Sequence, residues 1–459
     1  MSGPSPTPFM PAESSAYSLG GTALPNLTTR RALVYSLWDG VFASGMLALT
    51  ETFSVAAAVS LRAPAMAVAV LGSLPLLLGS LGQLALPSLV DGTKGRKYYV
   101  MRAVCLQILF LICCALSGTL SAPLRWLAFV SAFVLYGACG NLTSGFWMAW
   151  VRALVPEKVR GRHFAWRNRF FSTVHLVIAL SGGLAARRYT AESAPWSLYA
   201  AVFFAAASLR ALSATMMARQ YEEPVVLVRA PLRRRDMRGH FLSYALSVAL
   251  LQGSVALAGP FFNVWFVRDL QFNYLVLSII GASTVAGTIL FVPLWGQFAD
   301  RIGNFRVLHG TSYMVAIVPL FYVFVDKPYW IGLLNFYSGI AWSGFNISNF
   351  NYLLAATGNK NPDRNIAVAV SVTGISVFLF GLVGGFLSTR LPELFGYRLQ
   401  SLFFLSAILR LAIVLTLFSR LRLSEGLEPM RMNDIFEYMP GYRAGMSLLR
   451  STYRAFRRI

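Results

Sequence analysis

The sequence predicts an all-α integral membrane protein, with twelve transmembrane helices in two pseudo-symmetric six-helix bundles. Three observations carry that reading. Only 13% of the 459 residues are charged and the mean hydropathy is +0.59, where a soluble chain would be about 25% charged. Apolar runs of about 20 residues, each enough to cross a ~30 Å hydrocarbon core as a helix, recur along the chain. The longest internal connection, 219–240 with Arg233-Arg234-Arg235 and two prolines, leaves six runs on either side.

Residues 1–31 are rich in Pro, Ser, Thr and Gly and read as a disordered cytoplasmic tail. No basic segment followed by an apolar core marks them as a cleaved signal. The spans then run at 32–58, 65–89, 98–121, 126–150, 168–188, 196–218, 241–266, 273–298, 307–325, 329–356, 365–388 and 398–420. The first six make an N-terminal bundle, 32–218. Residues 219–240 form a basic cytoplasmic linker, and a C-terminal bundle follows at 241–420. Residues 421–459 form a basic cytoplasmic tail in which Phe436, Leu448, Leu449 and Phe456 alternate with arginines. An amphipathic segment on the inner leaflet and a loosely ordered tail both fit it.

Orientation follows from Lys and Arg. With the N-terminus inside, about four of them lie in the inner connections for each one outside. Both termini are therefore expected in the cytoplasm, and the chain in the cell inner membrane. The net charge of +22 would suit nucleic acid, but it sits in short connections between apolar runs, so no nucleic-acid partner is expected. Cys105, Cys113, Cys114 and Cys139 all fall in apolar runs without metal-ligand spacing and read as packing residues. Features recur between the halves. Arg162 precedes Gly182-Gly183 by the spacing that separates Arg364 from Gly384-Gly385, and Arg210 and Arg410 sit at like depth in spans six and twelve.

Between spans eight and nine stands Gly296-Gln297-Phe298-Ala299-Asp300-Arg301-Ile302-Gly303. Gly296 permits close backbone approach, and Gly303 permits the positive φ that stops a helix. Asp300 and Arg301 put one charge of each sign near helix ends. This G-x-x-x-D-R-x-G pattern resembles the loop signature of the major facilitator superfamily of transporters. A degenerate copy follows span two, Asp91-Gly92-Thr93-Lys94-Gly95-Arg96-Lys97, with Pro87 where the first glycine would be. The resemblance implies a gating role for Asp300 and Arg301, and by extension Asp91: the acid clasps neighbouring helix ends and biases one access state. Simple topology anchoring by charge is the alternative. Pro156-Glu157-Lys158-Val159-Arg160-Gly161-Arg162-His163-Phe164 and Arg167-Asn168-Arg169 resemble a bacterial branch whose substrates are mostly unassigned. Span four lacks the family's Arg-x-x-x-Gly coupling motif, and span five lacks the Gly-Pro pair of drug/proton antiporters. Both absences weigh against proton-antiport drug efflux.

The resemblance further implies that spans one, four, seven and ten line a cavity. Helical spacing supports polar stripes there. Asn335, Trp342, Asn346 and Asn349 share one face of span ten, within about 60°. Gln252, Gly259 and Asn263 share a face of span seven, and Asn141, Ser144, Met148 and Arg152 one of span four. Amides in lipid are costly unless they meet each other, water or a ligand. Asn141, Gln252, Asn263, Trp342, Asn346 and Asn349 are therefore the substrate-binding candidates, with interhelical packing as the bland alternative. Asp39, Glu51 and His175 are the ion-coupling candidates. Asp39 and Glu51 lie about 120° apart on their helix, so both cannot centre on one cavity face. Asp39 is expected to pair near the inner mouth with a base such as Arg152. Arg210 and Arg410, in spans expected at the periphery, fit snorkelling or pairing with inner-face groups.

No enzyme constellation, metal set or P-loop appears, so no cofactor is expected. The expected function is secondary active transport of a small neutral or zwitterionic organic solute by alternating access, coupled to a proton or cation, by a monomer in the lipid bilayer. The alternative is a transporter-like binding or assembly platform, or a lipid-handling protein, without solute turnover.

Overall fold

The computed structural model describes residues 18–19, 22–23, 27–89, 94–155, 160–222, 240–357 and 362–421. Among them are twelve long α-helices: α1 Leu27–Ser60, α2 Ala65–Leu89, α3 Arg96–Leu116, α4 Ala122–Leu154, α5 Arg160–Ala185, α6 Trp196–Ala218, α7 His240–Val264, α8 Tyr274–Ile302, α9 Asn304–Phe321, α10 Pro328–Thr357, α11 Pro362–Leu387 and α12 Arg398–Thr416. Each overlaps one expected span. Ahead of α1, Ser18–Leu19 pairs antiparallel with Thr22–Ala23, a regular element inside the stretch expected to be disordered. Nine helices are long and apolar enough among the described residues to cross a membrane by composition alone. The other three are diluted by polar residues: the first half of α5 is rich in arginine, α9 holds Arg306 and His309, and α10 holds four asparagines.

Packing repeats between the halves. In the first, α1 packs on α5 and α6, α2 on α4, and α3 on α4 and α6; in the second, α7 packs on α11 and α12, α8 on α10, and α9 on α10 and α12. Adding six to each helix number converts one set into the other. The two bundles meet symmetrically as well, through α2 against α11 and α5 against α8.

The bundles are sealed on one face by a shared apolar cluster; toward the other their apolar clusters separate, and α2 and α11 still touch where Ser371 Oγ donates to the Ser80 carbonyl at 3.0 Å. The main hydrophobic cluster joins both halves, taking Phe53, Phe129 and Phe203 from the first and Phe261, Trp265 and Tyr274 from the second. It lies toward the α1–α2 and α7–α8 loops. Tyr199 and Tyr274 hydroxyls meet across it at 2.5 Å, and Phe53 stacks on Tyr274 at 4.8 Å between centroids. Pro260, inside α7, fills the space over Gly72 of α2. Toward the face that carries the termini, the apolar clusters belong to one half each: Val100, Val104, Trp150 and Met217 in the first, and Tyr244, Leu251, Phe305 and Phe345 in the second.

The glycine pairs supply the inter-bundle contacts. A Cβ on Gly182 would touch Phe53 and Leu49 of its own bundle, whereas one on Gly183 would collide with Tyr274 and Ser278 of α8. Gly384 likewise abuts Leu257 within its bundle, and Gly385 abuts Met66 and Ala69 of α2 across the interface. The first glycine of each pair thus serves the bundle and the second serves the seal.

Cys114 is buried, but Cys105 and Cys113 are exposed on α3, so packing does not account for those two. Near the termini face, α3 is clasped by the end of α6. The Glu222 carboxylate accepts the Lys97 backbone N–H at 3.2 Å, and Lys97 Nζ donates to the carbonyls of Ala218 at 2.7 Å and Gln220 at 2.8 Å. Each charge faces the helix pole of opposite sign.

Candidate functional site

Glu51 and His175 come together about midway along α1 and α5. Glu51 Oε2 lies 3.7 Å from His175 Nε2, with 66% of the Glu51 side chain exposed and 23% of the His175 side chain. Glu51 stands about 14 Å from the sealed end of α1, counting 1.5 Å per residue. A carboxylate held at that depth is too costly against lipid, so the space it faces is aqueous. The pair therefore belongs to the space between the bundles.

Asp39 has a different environment. It is 1% exposed and accepts a 2.6 Å hydrogen bond from Ser213 Oγ. Ser213 in turn accepts from Arg210 at 2.9 Å, and Arg210 Nε donates to Gln107 at 2.8 Å. Asp39 is thus wired into the α1–α3–α6 packing behind the inter-bundle space, away from Glu51, as their angular separation requires. The expected pairing with Arg152 is replaced by Arg210; the Arg152 side chain lies outside the described residues. Arg410 of α12 repeats the Arg210 placement, donating to Ser406 Oγ and to the Val315 and Val255 carbonyls. It is 2% exposed, so neither arginine snorkels. Both turn inward because each finds acceptors within the bundle, Arg210 on α3 and its own α6 and Arg410 on α7, α9 and its own α12, which satisfies the guanidinium at less cost than a stretched path to the headgroups.

The amide candidates divide into two groups. Asn346 and Asn263 are exposed and Gln252 is half-buried, and none of the three has a hydrogen-bond partner among the described residues. They stand on α10 and α7. Three others are committed to packing. Asn141 Nδ2 donates to the Gly137 carbonyl at 3.1 Å, its backbone carbonyl accepts from Gln83 of α2, and Gly79 presses on its Cβ. Asn349 accepts from the Tyr244 hydroxyl at 2.6 Å. Asn335 accepts from Thr284 and donates to Tyr322. Trp342 is half-buried, with its ring edge-on to Phe345. The stripe on α10 is real as a helical face, but Asn349 and Asn335 on that face are claimed by protein neighbours.

Gly303 ends α8 with φ 86°, the positive value expected of it, and its N–H donates to Ala299. Nothing lies within 4 Å of a Cβ built on Gly296. The expected close approach is therefore absent in this state. Asp300 and Arg301 are exposed and form no ion pair among the described residues. Asp91 lies outside the described residues.

Arg167 escaped the sequence reading, which counted it among the charges of the inner face. It is 3% exposed, stacks on Trp147 at 4.6 Å and Phe171 at 4.9 Å, and has no hydrogen bond among the described residues. Its charge acts on Asp39 together with that of Arg210. The neighbouring Trp166, Phe170 and Phe171 were the available signal, since a guanidinium among aromatic rings is more readily held out of water. Ser213 and Gln107 were missed because nothing in their spacing points to a partner.

The major facilitator superfamily model matches residues 244–432. The multi-drug resistance efflux pump PmrA of Streptococcus pneumoniae serotype 4 is 27% identical over 175 residues, which is 36% of this chain and 42% of the pump. The match thus spans less than half of that relative. Among solved structures, the inward open xylose transporter XylE from E. coli superposes with TM-score 0.62 at 14% identity, covering 85% of this chain and 98% of XylE. The nucleoside transporter NupG superposes with TM-score 0.61 at 15% identity, covering 86% and 98%. A POT family transporter in complex with 5-aminolevulinic acid gives TM-score 0.64 at 11% identity, covering 86% and 96%. At such identities the structural likeness speaks for the fold.

Proposed function

We propose that this chain, which matches the major facilitator superfamily over residues 244–432 and shares the fold of its transporters, is a multi-pass membrane transporter that moves a small neutral or zwitterionic organic solute by alternating access, coupled to a proton or cation. The observation that carries the reading is the mid-depth pairing of Glu51 with His175, with the unpartnered amides Gln252 and Asn346 on the facing bundle. A carboxylate beside an imidazole can share a proton, so the pair offers a proton site between the halves. The amides offer donors and acceptors without net charge. The lysine and arginine bias supports an orientation with the termini in the cytoplasm and the protein in the cell inner membrane. On this orientation the described state is sealed outward.

Asp300 fits the gating role by contrast. The clasp implied by the family loop is unmade on the face opposite the seal. Substrate export is the second reading, favoured by the name of the relative PmrA; solute uptake into inverted vesicles separates the two directions.

The test is a thermal-shift screen of the purified protein against metabolites at two pH values, followed by proteoliposome transport of the hit. Asn346→Ala is expected to abolish transport while the protein remains folded, and Glu51→Gln to remove its pH dependence. Transport unchanged in both variants would remove this site from the mechanism. Binding without any solute movement would leave the transporter-like platform as the function.

A further inference from the structure

A second cavity, of about 680 Å³, lies on the sealed face and contains none of the residues discussed above as substrate or coupling candidates. Its size falls in the range of small-molecule sites. Both bundles line it. The first contributes Arg62, Arg125, Glu192 and Trp196; the second contributes Arg268 and Ser388. Three guanidiniums thus converge on one space in a face otherwise poor in basic residues. Arg268 is held by Asp269 at 2.8 Å. Arg125 spends its Nε on the Leu120 carbonyl at 2.7 Å, leaving its terminal nitrogens. Arg62 is exposed and has no side-chain hydrogen bond or ion pair among the described residues. Glu192 accepts from Gln271 at 3.3 Å.

The backbone singles out the same place. Among the described residues, Arg62 at φ 57° and Gln271 at φ 51° are the non-glycine residues with positive φ. They occupy equivalent loops of the two halves, α1–α2 and α7–α8. Each stops a helical stretch: the Ala63 N–H reaches back to Ala58, and the Phe272 N–H to Phe266. Glycine fills such a position without strain, and a side chain there is disfavoured. At both positions the chain keeps a side chain instead. Arg62 lines the cavity, and Gln271 holds the glutamate that lines it.

We propose that this cavity binds an anion bearing two or more carboxylate or phosphate groups, and that its occupancy holds the sealed face closed. Guanidiniums recognise such groups through paired N–H donors. Parting the bundles on this face would carry Arg268 away from Arg62 and Arg125. A ligand that spans them binds the sealed state better than the parted one, and shifts the population toward it. The closure half of the proposal rests on the alternating-access reading; the binding half does not.

The test uses the full chain in neutral-lipid nanodiscs, with citrate and pyrophosphate as probes against sodium chloride at matched ionic strength. Both probes are expected to raise the melting temperature saturably. Arg62→Gly relieves the backbone while removing the guanidinium, so it should leave the unliganded melting temperature nearly unchanged and abolish the shift; Arg125→Gln should weaken it at least tenfold. Arg187→Gln, on the same face outside the cavity, should retain it. A shift that persists in Arg62→Gly and Arg125→Gln, or no shift beyond that of chloride, overturns the site, unless nanodiscs with phosphatidylglycerol stabilise the protein in an Arg62-dependent way. That result supports the same site with a lipid headgroup as its anion. Spin labels at Ser193 and Leu394 report closure: saturating probe should increase the short-distance population, and an unchanged distribution overturns the closure half. Glu51→Gln should bind the probes like the parent, so a failure of the coupling reading leaves this result standing.

Discussion

Replacing Gly183 with alanine should drive the protein out of the state described here. A Cβ at this position would stand 2.6 Å from the Tyr274 carbonyl oxygen and 2.6 Å from Ser278 Cβ. The Ser278 hydroxyl can rotate away, but the carbonyl and the Cβ move only with α8. Ordinary contact needs roughly 3.4 Å or more, so α5 and α8 must separate by nearly 1 Å at the seal. Overpacking of this kind costs about 1–3 kcal/mol. The cost falls on the sealed state, because the contact is between bundles and disappears when they part. A bias of 1–3 kcal/mol shifts a two-state equilibrium by about 5–150-fold. The assay is the distance between spin labels at Ser193 and Leu394, in opposite bundles on the sealed face, measured in nanodiscs. The expected result is a growing long-distance population. Gly182→Ala is the control, since its Cβ would meet Phe53 and Leu49 at 3.4 and 3.5 Å, which is ordinary contact. Gly385→Ala, against Ala69 at 2.9 Å, should shift the distances in the same direction but less. Gly384→Ala collides within its own bundle and should lower the melting temperature without moving the distances. A Gly183→Ala protein with a lower melting temperature and an unchanged distance distribution would refute the reasoning, because the clash would then be a defect of folding and not of the seal.

Other consequences follow from named contacts. Tyr274→Phe removes the hydroxyl that meets Tyr199 at 2.5 Å. It should cost the sealed state about 1 kcal/mol, a roughly fivefold shift in the same spin-label distances. Asp39→Ala leaves Arg210 and Arg167 buried without their acid, and should lower stability by about 3–5 kcal/mol; Asp39→Asn, which still accepts from Ser213, should lose less, as read by thermal unfolding. Glu222→Ala uncaps the start of α3 and frees Lys97, at about 0.5–1.5 kcal/mol, with no effect on the pH profile of transport.

The sequence disclosed the helices well because the membrane enforces them: every backbone polar group in lipid must be satisfied within its own helix. It disclosed the repeat as well, and the paired glycines turned out to mark both the bundle contact and the seal. The side chains were harder to read. Asn141, Asn346 and Asn349 are the same residue type at similar helical spacing, yet one packs against α2, one has no hydrogen-bond partner among the described residues and one receives the Tyr244 hydroxyl. Periodicity gives the face of a helix; the neighbour that reaches across to it comes from tertiary packing. For Asp39 and Glu51 the angle alone was enough to separate their environments, but it could not tell which of them faces water. Arg62 was counted only as an outer charge, because no sequence pattern announces a left-handed arginine.

The two bundles share a scaffold and divide the chemistry. The paired acid groups at depth, Asp39 beside Arg210 and Glu51 beside His175, stand in the first half, while Gln252, Asn263 and Asn346, without hydrogen-bond partners among the described residues, stand in the second. Arg410 makes the division concrete. It repeats the Arg210 placement, but its acceptors are one hydroxyl and two carbonyls, where Arg210 reaches a carboxylate through Ser213. The second half therefore keeps the structural role of the arginine without the acid, and with it loses a group able to exchange a proton. If coupling belongs to one bundle and recognition to the other, kinetics will separate them. Glu51→Gln and His175→Gln should flatten the pH dependence of transport at nearly constant KM. Gln252→Ala and Asn346→Ala should raise KM or abolish transport, and any residual activity should keep the parent pH profile. A second-half amide variant that flattens the pH profile would show that the two tasks are not divided in this way.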